Sequence, residues 1–298
     1  MKLAAIDIGS NAARLLIDEV IHLPNGKPEF VKMTLVRVPL RLGFDVFEIG
    51  RISEQKADKL IKTIASYKLL LDVYDIDHLI TAATSAMRDA VNAKEILERV
   101  KGETGIDIQV ITGDQEATYI YENHVAENMN VNESYLYIDV GGGSTELTFF
   151  SDGKMIFKRS FDIGTIRLLK NQVPESAWNE MKNFILEKTK GLHHITCIGS
   201  GGNINKVFSL SKRKEGKPLT LELLRGYYKE FSALSLKQRM SLYKLREDRA
   251  DVIVHALLIY INVMRWAEAE EIFVPKIGLA DGLIHNLYDK VSTQKVTY

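Results

Sequence analysis

The sequence predicts a two-domain α/β protein in which each half reads βββαβαβα. Three observations predict it. A short strand-and-turn pattern occurs twice, a similar succession of elements follows each copy, and the 298 residues, 46% hydrophobic and 26% charged, suffice for two ordinary cores. The copies are Ile6-Asp7-Ile8-Gly9 and Ile138-Asp139-Val140-Gly141, each an apolar, aspartate, apolar, glycine order. Four shared residues are weak grounds for a repeat; the shared succession behind them carries it.

After the first copy come two strand-like runs, RLLIDEVI and FVKMTLVRV, with Pro24-Asn25-Gly26 as the turn between them. A helix follows from an N-cap at Ser53, with apolar residues at helical spacing at Leu60, Ile64, Leu71 and Tyr74. Then HLITAAT reads as a strand, SAMRDAVNAKEILERVKGETG as one helix ending near Gly105, DIQVIT as a strand and DQEATYIYENHVAENM as a helix. After the second copy, STELTFF and MIFKRSF are strands joined by a Ser151-Asp152-Gly153 turn. ESAWNEMKNFILEKTKG is a helix with Gly191 as its C-cap, and HITCIG is a strand. A mostly helical insertion runs from about 203 to 269, broken near Lys217-Pro218 and Ser235. EIFVP as a strand and LADGLIHNLYDKV as a helix close the second half. The boundary falls between Glu116 and Asn130, giving domains 1–120 and 121–298. Two such hairpin-first sheets leave a cleft between the halves where both aspartate-bearing turns can face each other.

Lysine plus arginine equal aspartate plus glutamate at 39 each, so no bulk basic field exists for nucleic acid or an anionic membrane surface. Anion handling has to be local. The one cysteine, Cys197, sits in apolar ITCIGSG and reads as a buried small hydrophobe, in keeping with a reducing compartment. No apolar run reaches the roughly 18 residues of a membrane span, and VIVHALLIYINVMRW reads as a buried helix. The expectation is a cytoplasmic protein with no membrane or nucleic-acid partner. The seven histidines show no metal-ligand spacing, and His193-His194 reads as a solvated loop.

A glycine-rich turn after a strand lets backbone N–H groups approach a phosphate, since glycine lacks Cβ and accepts positive φ. Gly141, Gly142 and Gly143 suit that task; equally, one such turn serves as a tight hairpin between Tyr135–Val140 and Thr145–Phe150. Neither a dinucleotide fingerprint nor a Walker loop is present. Asp139 and Glu146 are hard oxygen ligands of the kind magnesium uses beside phosphates, and Asp7 offers the same in the first half. A lone carboxylate at a strand end is also an ordinary turn residue. A third glycine turn, CIGSGGNINK, opens a helix, so the amides of Gly201, Gly202 and Asn203 could hold another anion or simply let the helix pack closely on the sheet. Arg88 falls in the first turn of a helix starting at Ser85, where the dipole disfavours a cation and a phosphate partner would explain it. Glu116 likewise falls in a first turn, where the dipole alone accounts for a carboxylate.

IDIGSN, RLG at Arg41 to Gly43, GRIS at Gly50 to Ser53, ATSAMRDAVN, TGDQEA, IDVGGGSTEL, IGTIRLL, IGSGGN and RADVI at Arg249 to Ile253 occur in an order and spacing that resembles the exopolyphosphatase and guanosine pentaphosphate phosphohydrolase family. The resemblance covers essentially the whole chain. It implies two ribonuclease-H-like domains of the actin, sugar-kinase and Hsp70 superfamily, with an interdomain active-site cleft. It also implies hydrolysis of a terminal phosphoanhydride, with magnesium, releasing orthophosphate from inorganic polyphosphate or from guanosine pentaphosphate.

By the same resemblance Glu116 positions or deprotonates the attacking water, and Arg88 contacts the phosphates. Asp139, Gly141, Gly142, Gly143, Ser144 and Glu146 supply phosphate contacts and the magnesium environment, and Asp7, Ser10 and Asn11 face the same site. The chain ends soon after LADGLIHNLYDKV, without the HD-type helical extension of long members, so long polyphosphate is expected to be held less processively. Asn203 stands where a threonine is common. A small-molecule kinase of the same superfold and a non-catalytic sensor of ppGpp or polyphosphate are the other readings. The helical insertion could support a homodimer or serve internal packing.

Overall fold

The computed structural model describes residues 1–121, 133–152, 154–192, 194–275 and 278–294. The chain divides into two compact units, Met1–Asn123 with Leu279–Tyr298, and His124–Gly278.

The first unit is built on β1 (Lys2–Ile8), β2 (Ala12–His22), β3 (Pro28–Pro39) and β4 (His78–Ala83), in the sheet order β3-β2-β1-β4. The β1–β2 and β2–β3 pairs are antiparallel and β4 joins β1 in parallel. Leu3, Ala4, Ala5 and Ile6 of β1 are all fully buried, as a central strand covered on both faces requires. Its helices are α1 (Leu42–Ile49), α2 (Glu54–Val73), α3 (Ser85–Asp89), α4 (Ala93–Thr104) and α5 (Gly113–Tyr121).

Three expectations change here. The helix expected from Ser85 to Gly105 is two, α3 and α4, because Asn92 interrupts it: its side chain accepts from Ile52 N–H at 3.0 Å and donates to Ile52 C=O at 2.8 Å. DIQVIT is not a strand but a single bridge, Ala83 to Val110, since the Thr81 hydroxyl rather than a main-chain amide takes the Asp107 carbonyl at 2.7 Å. Helix α1 was not expected at all. The helix expected over DQEATYIYENHVAENM is described as α5 through Tyr121; its remainder and the domain boundary beyond it lie outside the described residues.

The second unit contains β5 (Ser134–Val140), β6 (Thr145–Ser151), β7 (Lys154–Phe161), α6 (Thr165–Leu169), α7 (Glu175–Lys188), β8 (Ile195–Ser200) and α8 (Gly202–Ser211). It continues with β9 (Leu219–Thr220), α9 (Leu221–Ala233), α10 (Leu236–Tyr243), α11 (Glu247–Ala250), α12 (Ile253–Trp266) and β10 (Glu271–Phe273). Its sheet order is β7-β6-β5-β8-β10-β9, with β5–β6 and β6–β7 antiparallel and β8 parallel to β5. The stretch from 203 to 269 holds most of α8 and all of α9 to α12, with breaks at β9 and at Ser235, where a capping box with Gln238 opens α10. The apolar run of α12 is a core helix: Leu257, Ile259, Tyr260 and Val263 share a cluster with Leu136 and Ile138 of β5. Among the described residues no helix is long and apolar enough to cross a membrane. Cys197 is fully buried, and burial pushes its thiol well up, so it is the inert hydrophobe expected. Helix α7 ends on Thr189 rather than on Gly191. Gly153 and His193 lie outside the described residues.

The last helix, α13 (Leu279–Gln294), belongs with the first unit and not with the second half in which it was expected. Leu279, Ala280, Leu283 and Ile284 recur at helical spacing and pack on Leu3, Ala5, Leu16 and Val20, covering one face of the β1–β2 pair. Phe30 of β3 stacks on His285 with ring centroids 4.0 Å apart.

Candidate active site

The two copies of the strand-and-turn pattern have the same backbone plan. Gly9 N–H bonds the Ala12 carbonyl at 3.0 Å, and Gly141 N–H bonds the Ser144 carbonyl at 2.9 Å. Each turn joins an antiparallel pair in the same register, with Ile8 opposite Ala13 and Val140 opposite Thr145. The repeat therefore extends past the turn, and what differs is the chemistry. Asp7 stands opposite Arg14, whose Nη1 donates to Asp7 Oδ2 at 2.5 Å; Asp139 stands opposite Glu146.

In the second unit the triple glycine is a hairpin turn, but not because it needs positive φ: none of the three is in the left-handed region. Close approach is instead what the structure demands of a glycine packed on the turn, Gly164. A Cβ on Gly164 would fall 2.4 Å from the Gly142 carbonyl oxygen and from the Gly143 carbonyl carbon. That approach lets the start of α6 bind the turn from behind. Thr165 N–H donates to Gly141 C=O at 3.0 Å, Ile166 N–H to Gly142 C=O at 2.8 Å, and Arg167 Nε to Gly143 C=O at 2.8 Å. All three carbonyls that would repel an anion are turned toward α6. Because a trans peptide points its N–H opposite its C=O, the amides of Gly142, Gly143 and Ser144 point the other way. Amides aligned in this way are able to receive an anion, and Gly164 and Arg167 help hold the turn in that arrangement.

Asp139 and Glu146 end the same pair of strands at the base of this turn. Ser160, opposite Glu146 on β7, donates to Glu146 Oε1 at 2.9 Å, and Ser200, opposite Asp139 on β8, donates to Asp139 Oδ1 at 2.6 Å. Glu146 is 2% exposed and Asp139 half-buried. Two hard carboxylates with hydroxyls fixing their orientation are a donor set that suits magnesium, which takes one or two carboxylates and keeps several waters.

Gly201 and Gly202 follow β8 in the second unit, and the first unit holds Arg88, Glu116, Ser10 and Asn11. Arg88 Nη1 donates to Glu116 Oε2 at 3.1 Å and to the Ile111 carbonyl at 2.8 Å; Glu116 is 7% exposed. The helix dipole does not disfavour Arg88, because α3 is only five residues long and Arg88 stands in its last turn as much as its first. Ser10 and Ser85 share a hydroxyl hydrogen bond of 2.6 Å, and the Ser10 and Asn11 carbonyls accept from Gly43 N–H at 2.8 Å and Arg41 N–H at 2.9 Å. Arg41 takes a left-handed backbone, φ 57°, and its guanidinium lies 3.8 Å from the Phe44 ring centroid.

Gly164 and Ser200 lie within the motifs IGTIRLL and IGSGGN, but no role follows from the sequence for them, nor for Arg14, Ser160 or Tyr260. Arg14 was findable by following the repeat three residues past the turn. Ser160 and Ser200 meet the carboxylates only through strand register, and Gly164 and Tyr260 meet this region only through tertiary packing.

Residues 21–291 match the Ppx/GppA phosphatase family. The chain is 27% identical over 311 residues to exopolyphosphatase 1 of Mycobacterium tuberculosis, covering 95% of this chain and 87% of that protein. It is 24% identical over 307 residues to the guanosine-5'-triphosphate,3'-diphosphate pyrophosphatase of Aliivibrio fischeri, covering 98% of this chain but 60% of that protein. Among solved structures, an Aquifex aeolicus Ppx/GppA family member superposes with a TM-score of 0.75 at 28% identity, covering 98% of each chain.

Proposed function

Since the chain belongs to the Ppx/GppA phosphatase family, we propose that it is an exopolyphosphatase, hydrolysing the terminal phosphoanhydride of inorganic polyphosphate to release orthophosphate. The observation that carries this reading is the β5–β6 turn, whose three glycine carbonyls are tied to α6 while Asp139 and Glu146 stand paired at its base. That combination of outward amides and hard carboxylates fits a metal-bound phosphate chain better than a neutral substrate.

Phosphoryl transfer to water demands positioning and neutralisation of spreading charge more than covalent help. Water attacks the terminal phosphorus, the bridging P–O bond breaks, and the shortened chain leaves with the bridging oxygen. Glu116 orients the water and accepts its proton, and Arg88, which steers Glu116, adds positive charge near the terminal group. The amides of Gly142, Gly143 and Ser144 hold phosphoryl oxygens, with Ser10 and Asn11 as further phosphate contacts. Asp139 and Glu146 would hold magnesium, which supplies charge stabilisation on the phosphoryl oxygens. Asp7 is assigned a lesser part, because Arg14 already takes its Oδ2.

Guanosine pentaphosphate is the alternative substrate, since the Aliivibrio fischeri pyrophosphatase aligns with 98% of this chain. Phosphate release from short polyphosphate, long polyphosphate, guanosine pentaphosphate and ATP, with and without magnesium, decides the matter. Fastest magnesium-dependent release from polyphosphate is expected. Fastest release from guanosine pentaphosphate would reassign the substrate, and no release from any would leave the sensor reading.

A further inference from the structure

Asp139 is the end point of a hydrogen-bond line that starts in the hydrophobic core of the second unit. The Tyr260 hydroxyl, on α12, donates to the Ser200 carbonyl, and the Ser200 hydroxyl donates to Asp139 Oδ1 at 2.6 Å. Tyr260 is 1% and Ser200 3% exposed, and Tyr260 belongs to the core cluster that includes Leu136 and Ile138 of β5. The next residue, Gly201, has φ 107°, and a Cβ there would fall 3.2 Å from Asp139 Oδ1, 3.3 Å from the Val140 carbonyl oxygen and 3.6 Å from the Tyr260 hydroxyl. The third glycine turn therefore lies directly on the carboxylate.

We propose that Ser200 and Tyr260 are positioning residues that fix the orientation of the Asp139 carboxylate, and that the IGSGG turn serves as their mount. The proposal rests on the reading of Asp139 as a metal carboxylate. An ionised acceptor and a hydroxyl donor make a short, charge-assisted bond, which locks one carboxylate oxygen and thereby aims the other. A serine hydroxyl alone is a poor anchor, since it swings about one bond. Here its backbone is held at the carbonyl by a phenol whose ring is immobilised by the core, so the rigidity of α12 reaches the carboxylate through two hydrogen bonds. Outer partners of this kind typically change metal affinity about 10–100-fold when removed. Gly201 is required by the same geometry: any side chain there would push against the carboxylate that the hydroxyl orients.

The test measures Mn2+ binding to the full chain without substrate, by calorimetry or electron paramagnetic resonance, beside the Mg2+ concentration that gives half-maximal phosphate release. Ser200→Ala is expected to weaken Mn2+ binding and raise the Mg2+ requirement by about 10–100-fold, with melting temperature nearly unchanged. Tyr260→Phe, which keeps the ring and its packing, is expected to shift both in the same direction by less. Ser200→Thr, which keeps the hydroxyl, is expected to bind Mn2+ like the parent. Asp139→Asn separates the two readings. If it abolishes Mn2+ binding while Ser200→Ala and Tyr260→Phe bind as the parent does, the positioning role is overturned and the metal role stands. If Asp139→Asn itself binds Mn2+ normally, both are overturned.

Discussion

Glu146 stands directly across from Asp139 in the β5–β6 ladder, at the register position that Arg14 occupies opposite Asp7 in the β1–β2 ladder. The two turns share a backbone plan, and at this register position their side chains differ in the sign of the charge. In the first unit the aspartate carries its own cationic partner, Arg14; in the second, two carboxylates stand side by side, a donor set that suits a cation. The proposed metal site accordingly falls at the second copy, where the residue seven positions after the aspartate is acidic.

Glu146→Gln keeps the size and the acceptor for Ser160 but removes the charge. Phosphate release at a fixed, moderate Mg2+ concentration is expected to fall about 10²–10³-fold, the usual loss of one charge-stabilising group. Part of the loss should return at high Mg2+. Circular dichroism should show an unchanged fold, and parent activity at low Mg2+ would remove Glu146 from the metal environment.

Glu116→Gln tests the water-orienting role with little structural damage, because the amide oxygen still accepts from Arg88 Nη1. The expected outcome is a parent-like melting curve with phosphate release lowered by at least about 10²-fold. Arg88→Ala should lower the rate too, but with some loss of stability, since it leaves the nearly buried Glu116 without its 3.1 Å partner. A Glu116→Gln chain that releases phosphate at the parent rate would end this assignment.

Gly164→Ala adds one methyl group where the backbone of Gly142 and Gly143 already stands 2.4 Å away. The turn has to move, taking the tied carbonyls and the opposed amides with it. A destabilisation of about 1–3 kcal/mol is expected from such overpacking, together with a raised KM for polyphosphate. Gly191→Ala is the contrast, since a Cβ there meets nothing within 4 Å, and its strain comes only from φ 77°. It should leave KM unchanged.

Much of this arrangement is legible in the sequence, and the parts that are not have a common cause. The repeat, the hairpins and the glycine turn with Asp139 and Glu146 beside it are read from local pattern, because strand alternation and turn chemistry act over a few residues; the role proposed for Glu116 comes from the family resemblance alone, and the dipole reading of Arg88 does not survive the shortness of α3. The register that brings Ser160 and Ser200 to the carboxylates is set by whole-strand pairing. The split between α3 and α4 depends on Asn92 reaching Ile52, forty residues earlier. The allegiance of α13 depends on which sheet face lacks a cover, which no window of sequence reports. Of the two reasons for glycine here, lack of Cβ and tolerance of positive φ, the second is unused at Gly141, Gly142 and Gly143, and the tight approach involves Gly164, a residue outside the turn.

Asp18 on β2 is 4% exposed, and burial pushes its carboxyl up to about 6, with nearby Lys32 pulling it down and Asp281 adding to the rise. The ordinary value is 3.8, so between pH 4 and 6 the folded chain holds a proton that the unfolded chain has lost. Stability contributed at this site is therefore greatest below about pH 4, falls as pH rises toward 6 and is level above it. Asp18→Asn is expected to raise the melting temperature at pH 7–8 relative to the parent, with the gain shrinking toward pH 4. A difference that does not change with pH would show that Asp18 is ionised in the folded chain throughout.

Leu283 is fully buried on α13 against the face formed by Leu3, Ala5, Leu16 and Val20. Because this helix closes the core of the first unit from the far end of the chain, its loss should damage residues nearly three hundred positions away in sequence. Leu283→Ala removes a buried side chain and leaves a cavity, at a cost of about 2–5 kcal/mol, which should appear as a lowered melting temperature. A chain cut after Gly278 exposes the whole face and leaves Asp281 unable to pair with Lys32, an ion pair of 2.8 Å in the intact protein. That chain is expected to be poorly soluble and to lose slow hydrogen exchange in β1 and β2, while β5 and β8 keep theirs, since among the described residues the core cluster of Leu136, Ile138 and Cys197 includes none of α13. If β1 and β2 stay protected in the shortened chain, the first unit folds without its last helix and the assignment of α13 to that core is of no energetic consequence.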